Sequence, residues 1–199
     1  MLELALVIVG AYLIGSVSFA VLVSKAFGLP DPHDYGSGNP GATNVLRTGN
    51  KAAALLTLFG DGAKGFVAVF AVEHLAAAYA LPRGTVAAAS LAVFVGHVYP
   101  VFHRFSGGKG VATAAGIVFA WHWPLGLALS VIWLVMAVGF KISSLAALTT
   151  AVLLPLGALY FFGVGSIFGS ALLICALIFW RHRSNIRQLA TGSERKIGG

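Results

Sequence analysis

Residues 143–180 read SSLAALTTAVLLPLGALYFFGVGSIFGSALLICALIFW, with no charged side chain anywhere in the run. A membrane-spanning helix needs about 20 mostly apolar residues, so this stretch is long enough for two. Uncharged runs recur at 4–23, 85–96, 111–120 and 124–140. Of the 199 residues, 58% are hydrophobic and 10% charged. A soluble domain carries about 25% charged residues, and this chain has too few to cover its surface for water. The runs are continuously apolar rather than alternating, which excludes a β-barrel. The composition predicts an all-α polytopic membrane protein in a single domain, 1–199.

The layout that fits has seven transmembrane helices, near 4–23, 65–80, 85–102, 111–122, 124–140, 145–161 and 166–181. Loops 24–64, 103–110 and 141–144 and the tail 182–199 then lie on one side. That side holds Lys25, Arg47, Lys51, Lys64, Arg104, Lys109, Lys141, Arg181, Arg183, Arg187, Arg195 and Lys196, and only Arg83 of the 13 basic residues falls opposite. Basic residues favour the cytoplasm, so the N-terminus is expected outside and the C-terminus cytoplasmic. An even number of spans breaks this partition. The shorter spans are expected to tilt, overlap their loops or thin the bilayer. No basic residue precedes Lys25, so 4–23 reads as a retained first span, not a cleaved signal. Cys175, the only cysteine, lies in an apolar run and reads as a small packing residue.

Between two apolar segments stands Gly107-Gly108-Lys109-Gly110-Val111-Ala112-Thr113. Glycines let a backbone approach a ligand and turn successive N–H groups toward one anion. Lys109 adds a full charge, and a helix starting near Val111 aims the positive end of its dipole at the same place. The stretch reads as a phosphate site; the plainer alternative is a glycine turn whose lysine anchors a helix end. It is not a Walker A loop, because His103 and Gly110 stand where that motif needs Gly and Ser or Thr.

The first polar loop carries a second glycine-rich run, Gly36-Ser37-Gly38-Asn39-Pro40-Gly41-Ala42-Thr43-Asn44-Val45-Leu46-Arg47. Small residues, amides and hydroxyls supply donors, and Arg47 ends the run with a planar fork suited to phosphate. Thr43 and Asn44 are candidates to cap a short helix. The apolar 52–59 is too short to span and is expected to form a separate interfacial or re-entrant helix before the 65–80 span. Asp61 and Lys64, three apart, read as an ion pair at least as readily as ligand contacts.

Glu73 and His74 are either buried functional groups or residues near the outer interface. His97 is placed to hydrogen-bond between helices and support the loop that follows. His122, in Trp121-His122-Trp123-Pro124, reads as an interfacial residue of an aromatic belt. Ser143 and Ser144 either cap the next helix or join the site. Gly165 and Gly169 have the spacing of closely packed membrane helices. His182 and Asn185 share a helix face and are candidates to turn inward together; the nearby arginines read as anchors to lipid headgroups.

Gathered on one face, then, are Ser37, Asn39, Asn44, Arg47, Lys109, Thr113, His182, Asn185 and the two glycine loops. Nearly all are donors, which suits one or two phosphate-bearing molecules. No metal site is expected: the six acids do not converge in sequence. No Ser–His–Asp or Cys–His arrangement is visible. Nor is any His followed, after four intervening residues, by an acid, the signature of the usual acyl-CoA-dependent glycerolipid acyltransferases.

Four motifs in order carry a resemblance. Gly36 to Asn44, Gly96-His97-Val98-Tyr99-Pro100-Val101-Phe102, Gly107 to Thr113, and Arg181-His182-Arg183-Ser184-Asn185-Ile186 are similar to the bacterial acyl-phosphate:glycerol-3-phosphate acyltransferase family (PlsY). The resemblance implies a seven-helix fold in the bacterial cytoplasmic (inner) membrane, with the site facing the cytoplasm. It implies transfer of a fatty acyl group from acyl phosphate to the 1-hydroxyl of sn-glycerol 3-phosphate, giving lysophosphatidic acid and inorganic phosphate. No cofactor, metal or nucleic acid is expected; the partners are the two substrates and membrane lipid.

On that reading His182 and Lys109 are the catalytic candidates. Lys109 and the backbone of Gly107, Gly108 and Gly110 hold the departing phosphate, with Thr113 nearby. Ser37, Asn39, Asn44, Arg47, His182 and Asn185 bind substrate, chiefly glycerol 3-phosphate. His182 is the one protein base in view, and the phosphate of glycerol 3-phosphate is the alternative acceptor of the proton. A transporter of phosphate-bearing anions is the rival reading. It predicts broken helices at the midplane and internal symmetry, whereas the polar loops here all fall on one face and no convincing internal repeat is visible.

Overall fold

The computed structural model describes residues 2–82 and 84–197; Arg83, the basic residue assigned to the opposite side, lies outside them. Among the described residues the chain is all-helical. The helices are α1 (Leu2–Ser16), α2 (Phe19–Ala26), α3 (Ala42–Leu46), α4 (Lys51–Ala78), α5 (Thr85–Val98), α6 (Val111–Trp121), α7 (Trp123–Phe140), α8 (Ser143–Phe162), α9 (Ser166–Arg181) and α10 (Arg183–Ala190). A 3-10 turn, Val101–His103, extends α5.

Four of these, α4, α5 with its turn, α7 and α8, are each long and apolar enough to cross a membrane. The pair α1 and α2 is bent by 41° across Val17 and Ser18, the geometry of a broken fifth span or of a re-entrant loop. Helices α6 and α9 are apolar but have 11 and 16 residues, about 16 and 24 Å of rise against about 30 Å of hydrocarbon.

The separate helix expected over 52–59 does not exist. One helix of 28 residues runs from Lys51 to Ala78, started by Asn50, whose Oδ1 accepts from Ala53 N at 2.9 Å. Glycine costs a helix only about 1 kcal/mol relative to alanine, so Gly60 and Gly62 do not break it. They serve contact instead. A Cβ on Gly60 would lie 2.1 Å from the Phe19 ring, and one on Gly116 would lie 1.9 Å from Gly62 O.

Small residues also decide which helices meet. Gly15 packs on Val93 O and Gly96 on Tyr12 O, seating α1 on α5; Gly65 packs on Thr113 O, seating α4 on α6. Around these contacts Val69, Val93, Phe94, Val98, Ile117 and Ile174 are fully buried. At Gly165 and Gly169, by contrast, a Cβ would meet no atom of the described residues within 4 Å, so among these residues their spacing marks no helix contact. Cys175 is half-buried against the core, as a packing residue. Leu134, Val135 and Val138 on α7 are exposed, which in this chain means facing lipid.

Candidate active site

The first loop is organised by Asn44, which is 2% exposed in the middle of α3. Its Nδ2 donates to Pro32 O at 2.9 Å and Tyr35 O at 3.1 Å. Its Oδ1 accepts from Ser37 N at 3.0 Å, Ser37 Oγ at 3.2 Å and Arg47 Nη1 at 3.0 Å. An amide has two donors and two lone pairs, so all of this one's capacity is used. Asn44 is therefore a bracket that holds Ser37 and Arg47, both exposed, and does not itself face a ligand. Gly36 has φ 63°, and a Cβ there would lie 2.2 Å from Asn44 Oδ1. Asn39 sits half-buried beside this bracket. Thr43 and Asn44 do not cap α3; Gly41 stands at the cap position.

The central loop is gripped from two sides. Gly108 N donates to His97 O at 3.2 Å, and the Arg181 guanidinium donates to Gly107 O at 2.7 Å and Gly108 O at 3.2 Å. A Cβ at 107 would lie 2.2 Å from His97 O, and one at 108 would lie 2.2 Å from His97 Nε2. These two glycines let the loop press against α5, and the N–H of Gly108 is already engaged. Gly110 takes φ 84° as the residue before α6. Thr113 is fully buried, and its hydroxyl donates to Asp61 O at 3.0 Å, so it faces α4 rather than the site.

What the loop presents is Lys109. Its Nζ donates to Asn185 Oδ1, and Asn185 Nδ2 donates to Glu194 Oε1 at 2.7 Å. Ser144 Oγ donates to the same oxygen at 2.7 Å, and Ile197 N donates to Lys141 O at 2.7 Å, so the tail is folded back over the start of α8. Ser144 thus joins the site, while Ser143 reaches Thr43 Oγ at 3.1 Å. Burial pushes the Lys109 ammonium down to about 8; the Glu194 carboxylate opposes this, and the Arg181 and Arg47 charges add to it. A Cβ at 108 would also lie 3.1 Å from Pro40 O, so the loop that carries Arg47 packs against the loop that carries Lys109.

His182, 3% exposed at the junction of α9 and α10, points inward with Asn185. Its Nδ1 lies 2.8 Å from Ile178 O. A carbonyl only accepts, so Nδ1 carries the proton and Nε2 is left as the acceptor. Burial, then the Lys109 charge, push the imidazole down to about 4, with the Ile178 hydrogen bond working the other way.

Ser144 was one of two alternatives for its pair of serines, whereas Arg181 was read as a lipid anchor and Glu194 was not among the sequence candidates. Glu194 did leave a signal, since it is the one acid beyond Glu73. Glu73 and His74 are exposed on α4, away from this cluster, and His74 Nδ1 engages Phe70 O at 2.8 Å. His122 begins α7, its Nδ1 accepting from Leu125 N at 3.3 Å. Among the described residues no three His, Cys, Asp or Glu side chains gather as metal ligands.

Fold and site together define an all-helical integral membrane protein with a cationic centre at one end of its bundle, built from Arg47, Lys109, Arg181, His182 and Asn185. The family model for glycerol-3-phosphate acyltransferase matches residues 5–192. A glycerol-3-phosphate acyltransferase of Cupriavidus pinatubonensis is 56% identical over 188 residues, 94% of this chain and 93% of that one. One of Paraburkholderia phymatum is 54% identical over 197 residues, 99% and 94% of the two chains. The fold matches a crystal structure of PlsY (YgiH), an integral membrane glycerol 3-phosphate acyltransferase, in its glycerol 3-phosphate form. The TM-score is 0.90 at 36% identity, covering 98% of this chain and 96% of that one. The lysophosphatidic acid form of PlsY matches with a TM-score of 0.89. The chain belongs to the PlsY family of glycerol-3-phosphate acyltransferases.

Proposed function

We propose that this chain transfers a fatty acyl group from acyl phosphate to the 1-hydroxyl of sn-glycerol 3-phosphate, releasing lysophosphatidic acid and inorganic phosphate. The observation that carries this is the convergence of Lys109, Arg47, His182 and Asn185, from three separate parts of the chain, on one face. Both substrates bear phosphate, and the cluster offers two cationic grips. Lys109 takes the phosphate of the acyl donor, at the loop of Gly107, Gly108 and Gly110. Ser37 and Arg47, held by Asn44, take glycerol 3-phosphate together with His182 and Asn185.

An acyl phosphate is already activated, so no enzyme nucleophile is required. The 1-hydroxyl oxygen attacks the carbonyl carbon, the carbon–oxygen bond to phosphate breaks, and the donor's phosphate leaves. Holding the two groups in contact supplies about 7–11 kcal/mol of the barrier when orientation is good, and donors on the developing oxyanion and departing phosphate supply much of the rest. An imidazole with a pKa of about 4 is a weaker base than a phosphomonoester dianion, whose second pKa is about 6. The hydroxyl proton therefore goes to the phosphate of glycerol 3-phosphate, while Nε2 of His182, an acceptor, takes a hydrogen bond from the neighbouring 2-hydroxyl and so orients the molecule.

The charge partition supports seven crossings, the α1–α2 pair and α4 to α9 except for the ends of α4, with the N-terminus outside. The site then faces the cytoplasm from the bacterial inner membrane. Purified protein given labelled glycerol 3-phosphate is expected to make lysophosphatidic acid with acyl phosphate and none with acyl-CoA alone. Equal product from acyl-CoA overturns the donor assignment.

A further inference from the structure

Behind the central loop lies a set of ionisable side chains that the reaction does not use. Asp61, Lys64 and His97 are 3%, 5% and 7% exposed. Lys64 Nζ is 2.9 Å from Asp61 Oδ1 and donates at 2.6 Å to Val17 O, a carbonyl set free by the break between α1 and α2. His97 Nδ1 faces the same Asp61 oxygen at 3.6 Å. Charged groups inside a membrane protein are costly and mark function by default. A buried ion pair is seldom needed for stability alone, since well-packed apolar residues do as well or better.

What these residues touch is the loop. His97 accepts the Gly108 N–H through its carbonyl at 3.2 Å, and its ring lies where a side chain at 108 would stand. Beyond the loop, the carbonyl of Asp61 accepts the Thr113 hydroxyl in the first turn of α6 at 3.0 Å. The chain thus enters and leaves the Lys109 segment through contacts with His97 and Asp61. Arg181 supplies the opposing grip on the carbonyls of Gly107 and Gly108.

We infer that Asp61, Lys64 and His97 are positioning residues that set the shape of loop 107–110 and so the placement of Lys109 against the acyl-donor phosphate. The Asp61 carboxylate aligns the His97 ring under Gly108, and Lys64 fixes that carboxylate to the broken first span. This rests on the assignment of the loop to the acyl phosphate made above.

The test measures KM and kcat for each substrate, together with melting temperature, in purified wild-type protein and three variants. Asp61→Asn is expected to raise the KM for acyl phosphate about tenfold, leaving that for glycerol 3-phosphate within about twofold. Asp61→Asn leaves Lys64 buried without its counter-ion and is open to loss of folding. The paired variant Asp61→Leu with Lys64→Met removes both charges, and it is expected to melt like the wild type while keeping the raised KM. His97→Gln, which leaves the ion pair intact, carries the same expectation. A general loss of folding would not raise one KM alone. Wild-type KM values in the paired variant or in His97→Gln, or a rise confined to glycerol 3-phosphate, overturn the inference. A wild-type protein inactive with acyl phosphate overturns the functional reading instead, so the two failures are distinct.

Discussion

Lys109 donates a hydrogen bond to Asn185, 76 positions further along the chain, and Asn185 passes the contact on to Glu194. The lysine at the tip of the glycine loop is thus aimed by the last helix and the tail. Its amine is half-buried among Arg47 and Arg181, where an anion relieves a crowd of positive charge. Replacing Lys109 with Met is expected to lower kcat/KM for acyl phosphate by about 100-fold or more, the loss seen when a group stabilising transition-state charge is removed. The protein should still elute as one species, since the change removes repulsion from Arg47 and Arg181.

The pH profile follows from the same amine. A lysine is cationic below its pKa, and this one titrates at about 8, so kcat/KM is expected to fall as pH rises through about 8. That quantity reports groups in the free enzyme. Lys109→Arg keeps the charge at all accessible pH and should abolish this alkaline limb, even where its level of activity is lower.

His182 predicts the opposite kind of result. Its imidazole is neutral above about pH 4, so no activity change between pH 5 and 7 should disappear in His182→Ala. Steady-state kinetics should show the KM for glycerol 3-phosphate rising by about tenfold, with kcat falling less, as for a group that binds and orients. Collapse of kcat at unchanged KM would instead make His182 the base.

Asn44→Ala removes the bracket beneath Ser37 and Arg47 and leaves the carbonyls of Pro32 and Tyr35 without their donor. Thermal melts should show a loss of about 1–3 kcal/mol, the cost of unsatisfied buried polar groups. The KM for glycerol 3-phosphate should rise while that for acyl phosphate holds.

Glycine positions give a contrast within one residue type. Gly108→Ala places a methyl 2.2 Å from His97 Nε2 and should abolish measurable turnover. Gly169→Ala meets nothing within 4 Å inside a helix and should stabilise by about 0.5–1 kcal/mol, because glycine is the costlier helix residue.

Depth in a membrane sorts residues by charge, which is why most of the long helices could be read from uncharged runs such as 143–180. Three features lay beyond that signal. The short apolar run 52–59 reads as a helix of its own, but whether a helix runs on through Gly60 and Gly62 is ambiguous until their neighbours are known, and here Phe19 and α6 press against them. Thr113 has the right chemistry for an anion site, yet the seating of α6 on α4 turns its hydroxyl to Asp61 O. Glu194 enters the site only because the tail folds back to Lys141, a long-range contact with no local pattern. His182 and Asn185 were readable because three residues of helix place them on one face whatever else the chain does.

The central claim is attack at the acyl carbonyl carbon, with a phosphate held by Lys109 as the departing group. Acyl phosphate carrying oxygen-18 in the bridge between carbonyl and phosphorus tests it directly, with purified protein and unlabelled glycerol 3-phosphate. Mass spectrometry should find the label in the released inorganic phosphate and none in the lysophosphatidic acid. Label retained in a free fatty acid, with phosphate transferred to glycerol 3-phosphate, would mean attack at phosphorus and contradict the account.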